Sequence, residues 1–419
     1  MQFPALRFGA AILAFSVAAA ACGAATPASS SSSSSPSASS TASSTVKASP
    51  STAVTTKTKA ADLRTALNLQ LDEHVYLAGF AVSEALLGNT PGFEGAAKAL
   101  DTNSVELSKS IGSVYGADAE KRFLELWRAH IGMFVAYTQG VAAKDTAKMN
   151  KAKADLDGYR KDFDAFLSGA NPNLPKGAVA ELLVPHVQHL AGAIDAVGAG
   201  DLAAGFDMLK TAADQSQKIA DPLSMAIVKQ FPDKFTGDPS SKAADLRVTL
   251  NNLLGSHVYL AGLPVRMALG GSDPGFKAGL ATLDKNSVEL SKAIGSVYGT
   301  AAEARFLELW RAHLGMFVAY TQAVAKNDAA GKTKALADLD GYRADFDAFI
   351  SGANPNLPKG AVASLLVMHV TGISKAIDLL AAKDYASAYP QLKTAEDHSM
   401  MIADPLAEAI VIQFPDKLR

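Results

Sequence analysis

The sequence predicts an all-α protein: two tandem six-helix domains, each built from three helical hairpins. Three observations carry that expectation. Alanine is abundant and no stretch alternates apolar and polar residues in the β-branched manner of a strand. The body is duplicated without a gap, matched residues recurring 183 positions apart. Within each copy a shorter period of 56 residues brings back a histidine, at His74, His130 and His186 and again at His257, His313 and His369.

Ahead of the helices lie two other segments. Arg7 precedes the apolar run GAAILAFSVAAAA, too short to span a bilayer and laid out as a secretory signal peptide over residues 1–21. The end of that run, AAAC followed by Gly23, resembles the lipobox of bacterial lipoproteins. The resemblance implies cleavage before Cys22, a lipid on its sulfur, and a chain anchored at the extracytoplasmic face of the cell membrane. Cys22 is the one cysteine of the chain, and lipidation accounts for a lone thiol in an exported protein. Residues 22–57 are rich in serine and offer almost nothing to bury, so they read as a disordered tether.

The repeated body follows as residues 58–236 and 241–419, with 237–240 as linker. RFLELWRAH, SGANPNLPKGAVA and QFPDK occur in both copies in the same register. Each periodic histidine lies mid-way along an amphipathic stripe: Leu67, Leu71, His74 and Ala78 in the first hairpin, Phe123, Leu126, His130 and Met133 in the second, Val179, Leu182, His186 and Leu190 in the third. Turn residues follow at GNTPG, AAKDTA and GAGD, and a second helix completes each hairpin. That helix carries a polar residue with the same period: Asn103, Tyr159 and Gln215, then Asn286, Tyr342 and His398. Asp221-Pro222 and Asp404-Pro405 fall inside helical patterns, where proline removes a donor and a kink is expected.

Net charge is close to neutral and no basic cluster occurs, which argues against nucleic acid as a partner. No second apolar run reads as membrane-spanning, leaving the lipid as the membrane contact and any protein partner unspecified. Several chemistries lack their signatures. There is no Glu-x-x-His for a di-iron bundle, no His-Glu-x-x-His, no cysteine pair for structural zinc and no Gly-x-Ser-x-Gly. The matched carboxylates Asp62/Asp245, Glu106/Glu289, Glu125/Glu308 and Asp157/Asp340 sit among other charges and read as caps or salt-bridge partners. No catalytic residue is expected and the protein reads as non-enzymatic; the Trp–Arg–His run at 127–130 and 310–313 is the one feature that an enzyme pocket would use.

Two readings of the histidines stand side by side. Each is a buried hydrogen-bond node of its hairpin, partnered from the second helix, or three hairpins bring three imidazoles together as a metal shell. His130/Met133 and His313/Met316 place a thioether one turn from an imidazole. The second copy adds His398, Met400 and Met401 in AEDHSMMIADP, where the first has Gln215, Gln217 and Lys218. His398 and Met401 are about 60° apart on a helix and can share a site, while Met400 points elsewhere. The metal set is therefore His257, His313, Met316, His369, His398 and Met401, with a smaller one of His74, His130, Met133 and His186. Thioether favours copper, with haem or zinc behind it. His189, a turn from His186, has Gly372 at its matching place and reads as an incidental pair of the first copy.

The phrases FLELWRAHxGMFVAYT, LDGYRxDFDAF, SGANPNLPKGAVA and QFPDK together resemble a helical repeat domain of secreted proteins of Gram-positive bacteria. Some of those proteins carry a neighbouring domain similar to the N-terminal domain of copper amine oxidases, a domain with no counterpart here. Two functions are expected from all this: an extracytoplasmic lipoprotein that binds a metal ion or metal-containing ligand, copper first and mainly through the second copy; or a helical scaffold that recognises a protein or cell-envelope partner, its buried histidines structural.

Overall fold

Side-chain caps and left-handed turn residues cut the chain into twelve helices among the described residues, which are 54–419 of the computed structural model. The segment expected to be a signal peptide, Cys22 and most of the expected tether lie outside them. In the first repeat the helices are α1 (Lys59–Leu86), α2 (Thr90–Tyr115), α3 (Ala117–Ala143), α4 (Thr146–Ala170), α5 (Ala178–Gly198) and α6 (Leu202–Gln230). In the second they are α7 (Lys242–Leu269), α8 (Asp273–Tyr298), α9 (Thr300–Ala325), α10 (Ala329–Ala353), α11 (Ala361–Ala381) and α12 (Tyr385–Gln413). No strand occurs among these residues, and the fold is all-α.

Local chemistry explains the divisions. Thr58, Asp145 and Asp201 accept from backbone N–H groups at the starts of α1, α4 and α6, and Ser241, Asp328 and Asp384 do the same in the second repeat. Gly116 and Gly299, both at φ 90°, turn the chain between α2 and α3 and between α8 and α9 where a side chain would be strained. The conserved-looking loop SGANPNLPKGAVA is built around a carboxylate: Asp164 accepts from the N–H groups of Gly177, Val179 and Ala180, capping α5 from α4, and Asp347 does the same for α11. That identity between copies is a folding device. The expected kinks are not breaks, since α6 and α12 run unbroken through Pro222 and Pro405.

Within each repeat every helix packs on its sequence neighbours, and α6 returns to α1 as α12 returns to α7, closing a ring of six. The odd helices also touch one another: α1, α3 and α5 in one ring, α7, α9 and α11 in the other. Each periodic histidine belongs to an odd helix, so the ring brings all three toward its axis.

The two rings pack through α1 against α7, α2 against α12 and α6 against α8, a pairing that maps onto itself when the repeats are exchanged. Tyr76 and Tyr259 stack at 5.6 Å where α1 meets α7. One apolar core draws on both repeats, including Tyr76, Phe80 and Phe206 with Tyr259, Leu263 and Tyr389, and each repeat adds a core of its own around Trp127 or Trp310. Ion pairs follow the same exchange. Arg64 bonds Asp221 at 2.8 Å and reaches Asp245, while Arg247 bonds Asp404 at 2.7 Å and reaches Asp62. Lys210 meets Glu289 at 2.7 Å and Lys393 meets Glu106 at 2.9 Å. Several of the matched carboxylates are thus the ionic seam between the repeats.

The seam also revises the tether. Thr55 and Thr56 donate to the carboxylate of Glu408 on α12 at 2.8 Å, Thr56 is buried, and its carbonyl accepts from Arg247 at 3.2 Å. The Pro239 carbonyl plays the corresponding part for Arg64 at 2.7 Å. Residues 54–57 therefore belong to the folded body, and the linker 237–240 is their repeat-related counterpart. By length and composition α11 is the one described helix apolar enough to cross a membrane, yet it packs between α10 and α12 as a bundle element.

Candidate metal centre

His257, His313 and His369 converge. One ring nitrogen from each lies within 4.8 Å of the others, and all three side chains are buried. Among the described residues it is the one group of three that closes in this way. In the first repeat the two rings from α1 and α3 meet more tightly, with His74 Nε2 and His130 Nε2 3.3 Å apart, and His186 lines the same cavity.

Aromatic side chains fix the imidazoles. Phe306 stacks on Trp310 at 5.1 Å, Trp310 and His313 meet edge-on at 4.5 Å, and Tyr342 stacks on His313 at 5.1 Å. Phe123, Trp127, His130 and Tyr159 repeat the ladder in the first copy. RFLELWRAH and LDGYR are shared because they build this ladder. Arg128 and Arg311 turn away from it, to Asp101 and Asp284 at the surface, which removes the arginine from the Trp–Arg–His pocket.

The hydrogen-bond nodes expected from the second helices do not form. Asn103 donates instead to the Gln70 carbonyl and to Glu73, and Asn286 to the Leu253 carbonyl. Tyr159 and Tyr342 stack on histidines and leave their hydroxyls without a partner. Nδ1 of all six periodic histidines and Nε1 of Trp127 and Trp310 are likewise buried without a well-formed hydrogen bond. Nearby carbonyls of Leu126 and Trp127 favour protonated His130, and that of Trp310 protonated His313, but neither offers good geometry at Nδ1. Buried polar atoms without partners are rare in folded proteins, and here they gather on the residues of the two aromatic ladders and the histidines beside them.

The surroundings are mostly apolar, with Arg160 at the first repeat's cavity the one Lys, Arg, Asp or Glu side chain in the linings. In the first repeat the three histidines line one cavity of about 40 Å³ together with Leu71, Trp127 and Tyr159. In the second, His257 and His369 stand between two cavities of about 30 Å³ each, one toward the shared core and one toward the repeat's own. Burial holds the imidazoles neutral: His130 and His257 are pushed down to about 3, and His186 and His369 to about 4. His74 and His313 are also held well below the usual histidine range, by burial first and then by neighbouring imidazoles. Every ring therefore keeps a lone pair available at neutral pH.

Other members of the sequence-derived set fall elsewhere. Met401 is 46% exposed. Met133 and Met316 are half-buried and pack as core side chains against apolar clusters. The inward face of α12 is formed by Ala395, Ser399, Ile402 and Leu406, all buried. On a helical wheel His398 stands at the edge of that face and Met401 about 120° from its centre. No family model matches the chain, and no curated protein or solved structure matches it.

Proposed function

We propose that this protein binds a metal ion through His257, His313 and His369, with Cu(I) the preferred ion, and that it does so as a lipid-anchored protein outside the cytoplasm. The observation that carries the reading is the convergence of three neutral, buried imidazoles within 4.8 Å. Metal–nitrogen bonds are about 2 Å, so three nitrogens on one ion stand about 3.3–3.5 Å apart and the trio closes on an ion by contracting up to about 1.5 Å. The 3.3 Å separation of His74 and His130 is already that distance.

Charge decides among ions. No carboxylate lines any of the three cavities, and the two of the second repeat hold no Lys, Arg, Asp or Glu at all, so an ion bound there keeps its full charge in an apolar surround. The desolvation penalty rises with the square of the charge, which favours a monovalent ion over Zn(II). Imidazole is an accepted ligand for copper, and three neutral donors complete a low coordination number. Cavities of about 30–40 Å³ accept an ion and a water but not a haem. The preference for copper thus rests on charge and size, with the methionines outside the inner set.

The test is titration of the purified chain with Cu(I) under reducing conditions and with Zn(II), read by competition with a chromophoric chelator. A stoichiometric Cu(I) site lost in His257→Ala is expected. Absence of any site tighter than micromolar would sink the reading.

A further inference from the structure

The chain has eight histidines, of which six form the two trios. The remaining two, His189 and His398, are its only half-exposed ones, and they fall one to each repeat. They do not occupy matching positions: His189 is on α5, where the second repeat has Gly372, and His398 is on α12, where the first has Gln215. Yet both reach the same place. His189 follows His186 by one turn on the same helix. In the second repeat α11 and α12 run antiparallel, and a Cβ placed on Gly372 would sit 3.3 Å from Cβ of Ala395. One turn back along α11 from Gly372 is His369, and one turn on along α12 from Ala395 is His398. The two helices therefore bring His398 beside His369, as the chain itself brings His189 beside His186. Consistent with this, the charge of His398 acts on His369 and that of His189 on His186. Nδ1 of each is buried without a partner.

We infer that His189 and His398 are outer stations for the metal, each paired with the third histidine of its trio and handing the ion from the surface to the buried centre. The inference rests on the metal-binding reading and deepens it. The trios are closed to solvent, so an ion needs a ligand at the boundary that shares a partner with the interior; His398 with His369 is such a pair. Met401, one turn beyond His398 and exposed, adds a thioether to that edge, where the first repeat has Lys218. Soft donors at the boundary suit capture of Cu(I). The loss of histidine at Gly372 and its gain at His398 is then a relocation rather than a loss.

Stopped-flow transfer of Cu(I) from its bicinchoninate complex to the full chain tests this, with the first trio silenced by His130→Ala. His398→Gln is expected to slow loading severalfold while leaving the equilibrium affinity of the trio nearly unchanged. Gly372→His with His398→Gln, which copies the first repeat's arrangement, is expected to restore the rate. Thermal melts verify folding; should that double variant not fold, His189→Gly with Gln215→His makes the reverse transfer in the first repeat, with the second trio silenced. Loading of His398→Gln at the unaltered rate, or failure of a folded relocated variant to restore it, overturns the inference. No Cu(I) uptake by the unaltered chain overturns the metal reading as well, whereas uptake that requires His257 but ignores His398 overturns only the outer station.

Discussion

The two repeats carry the same aromatic ladder and the same three histidines, yet they hold them differently. In the first, His74 and His130 share a hydrogen bond at 3.3 Å and all three histidines line one cavity; in the second, three rings converge and two of them, His257 and His369, stand between two cavities. One pair of imidazoles bonds to itself through Nε2, while in both repeats every Nδ1 stays without a partner. Duplication preserves a scaffold more readily than it preserves the balance between donors and acceptors inside it.

The largest effect that would sharpen this contrast is loss of the second site. His313→Ala is expected to weaken Cu(I) binding to the second repeat on the order of 100-fold or more, since a direct ligand matters at least as much as an outer-shell partner. His130→Ala should leave that site intact, and chelator competition reads both. Next comes the difference between the unaltered repeats. The first must break its histidine pair before binding, at a cost of about 1 kcal/mol, so its affinity should be lower by roughly fivefold. Equal affinities in the two single-site variants would erase the contrast.

A third prediction concerns pH. Because His257 titrates near 3 and His369 near 4, metal binding at pH 7 releases no protons from the trio. Affinity should be flat from pH 7 to about 5, where an ordinary site with histidines titrating near 6.5 would already weaken. The apo protein behaves otherwise. Its histidines have folded values below their unfolded ones, so the stability they contribute is present above about pH 6.5 and is lost as pH falls toward 3–4. Urea titrations at several pH values check the sign.

The smallest effect lies at the seam. The first repeat has Asp72 and Glu73 where the second has Gly255 and Ser256. Ser256 donates to Asp72 at 2.8 Å, and Gly255 leaves room for Glu396, whose Oε1 would stand 2.9 Å from a Cβ there. Burial pushes the Asp72 carboxyl up to about 8. A raised carboxyl contributes stability that is full below its unfolded value of 3.8 and lost as pH climbs through 8. Asp72→Asn should therefore change little at about pH 4 and flatten the decline in stability between about pH 4 and 8, measured by thermal melts.

Much of this was legible in residue order. Even spacing of 56 placed one histidine on each odd helix, and short loops forced those helices to be parallel, so convergence follows once the ring closes. Ring closure itself depends on α6 meeting α1, a contact between segments more than a hundred residues apart that no local pattern encodes. The methionines show the limit from the other side. Spacing places His398 and Met401 on one stripe, but only the packing of α11 against Ala395 and Ser399 says which side of that stripe faces inward. The equivalence of His189 and His398 is hidden for the same reason: it is a relation between helices, and in sequence it reads as one histidine lost and another gained. The ion pairs between Arg64 and Asp245 and between Arg247 and Asp62 were visible only as charges in matched positions.

The strap formed by residues 54–57 has a mechanical consequence. Thr55 and Thr56 grip Glu408, so the first folded residues are fastened to the last helix rather than to the helix they precede. A pull applied at residue 54 enters α12 and, through Arg247 and Asp404, the seam between the rings. The load is shared by both halves at once instead of peeling α1 from its neighbours, and the chain resists from its head and its tail together.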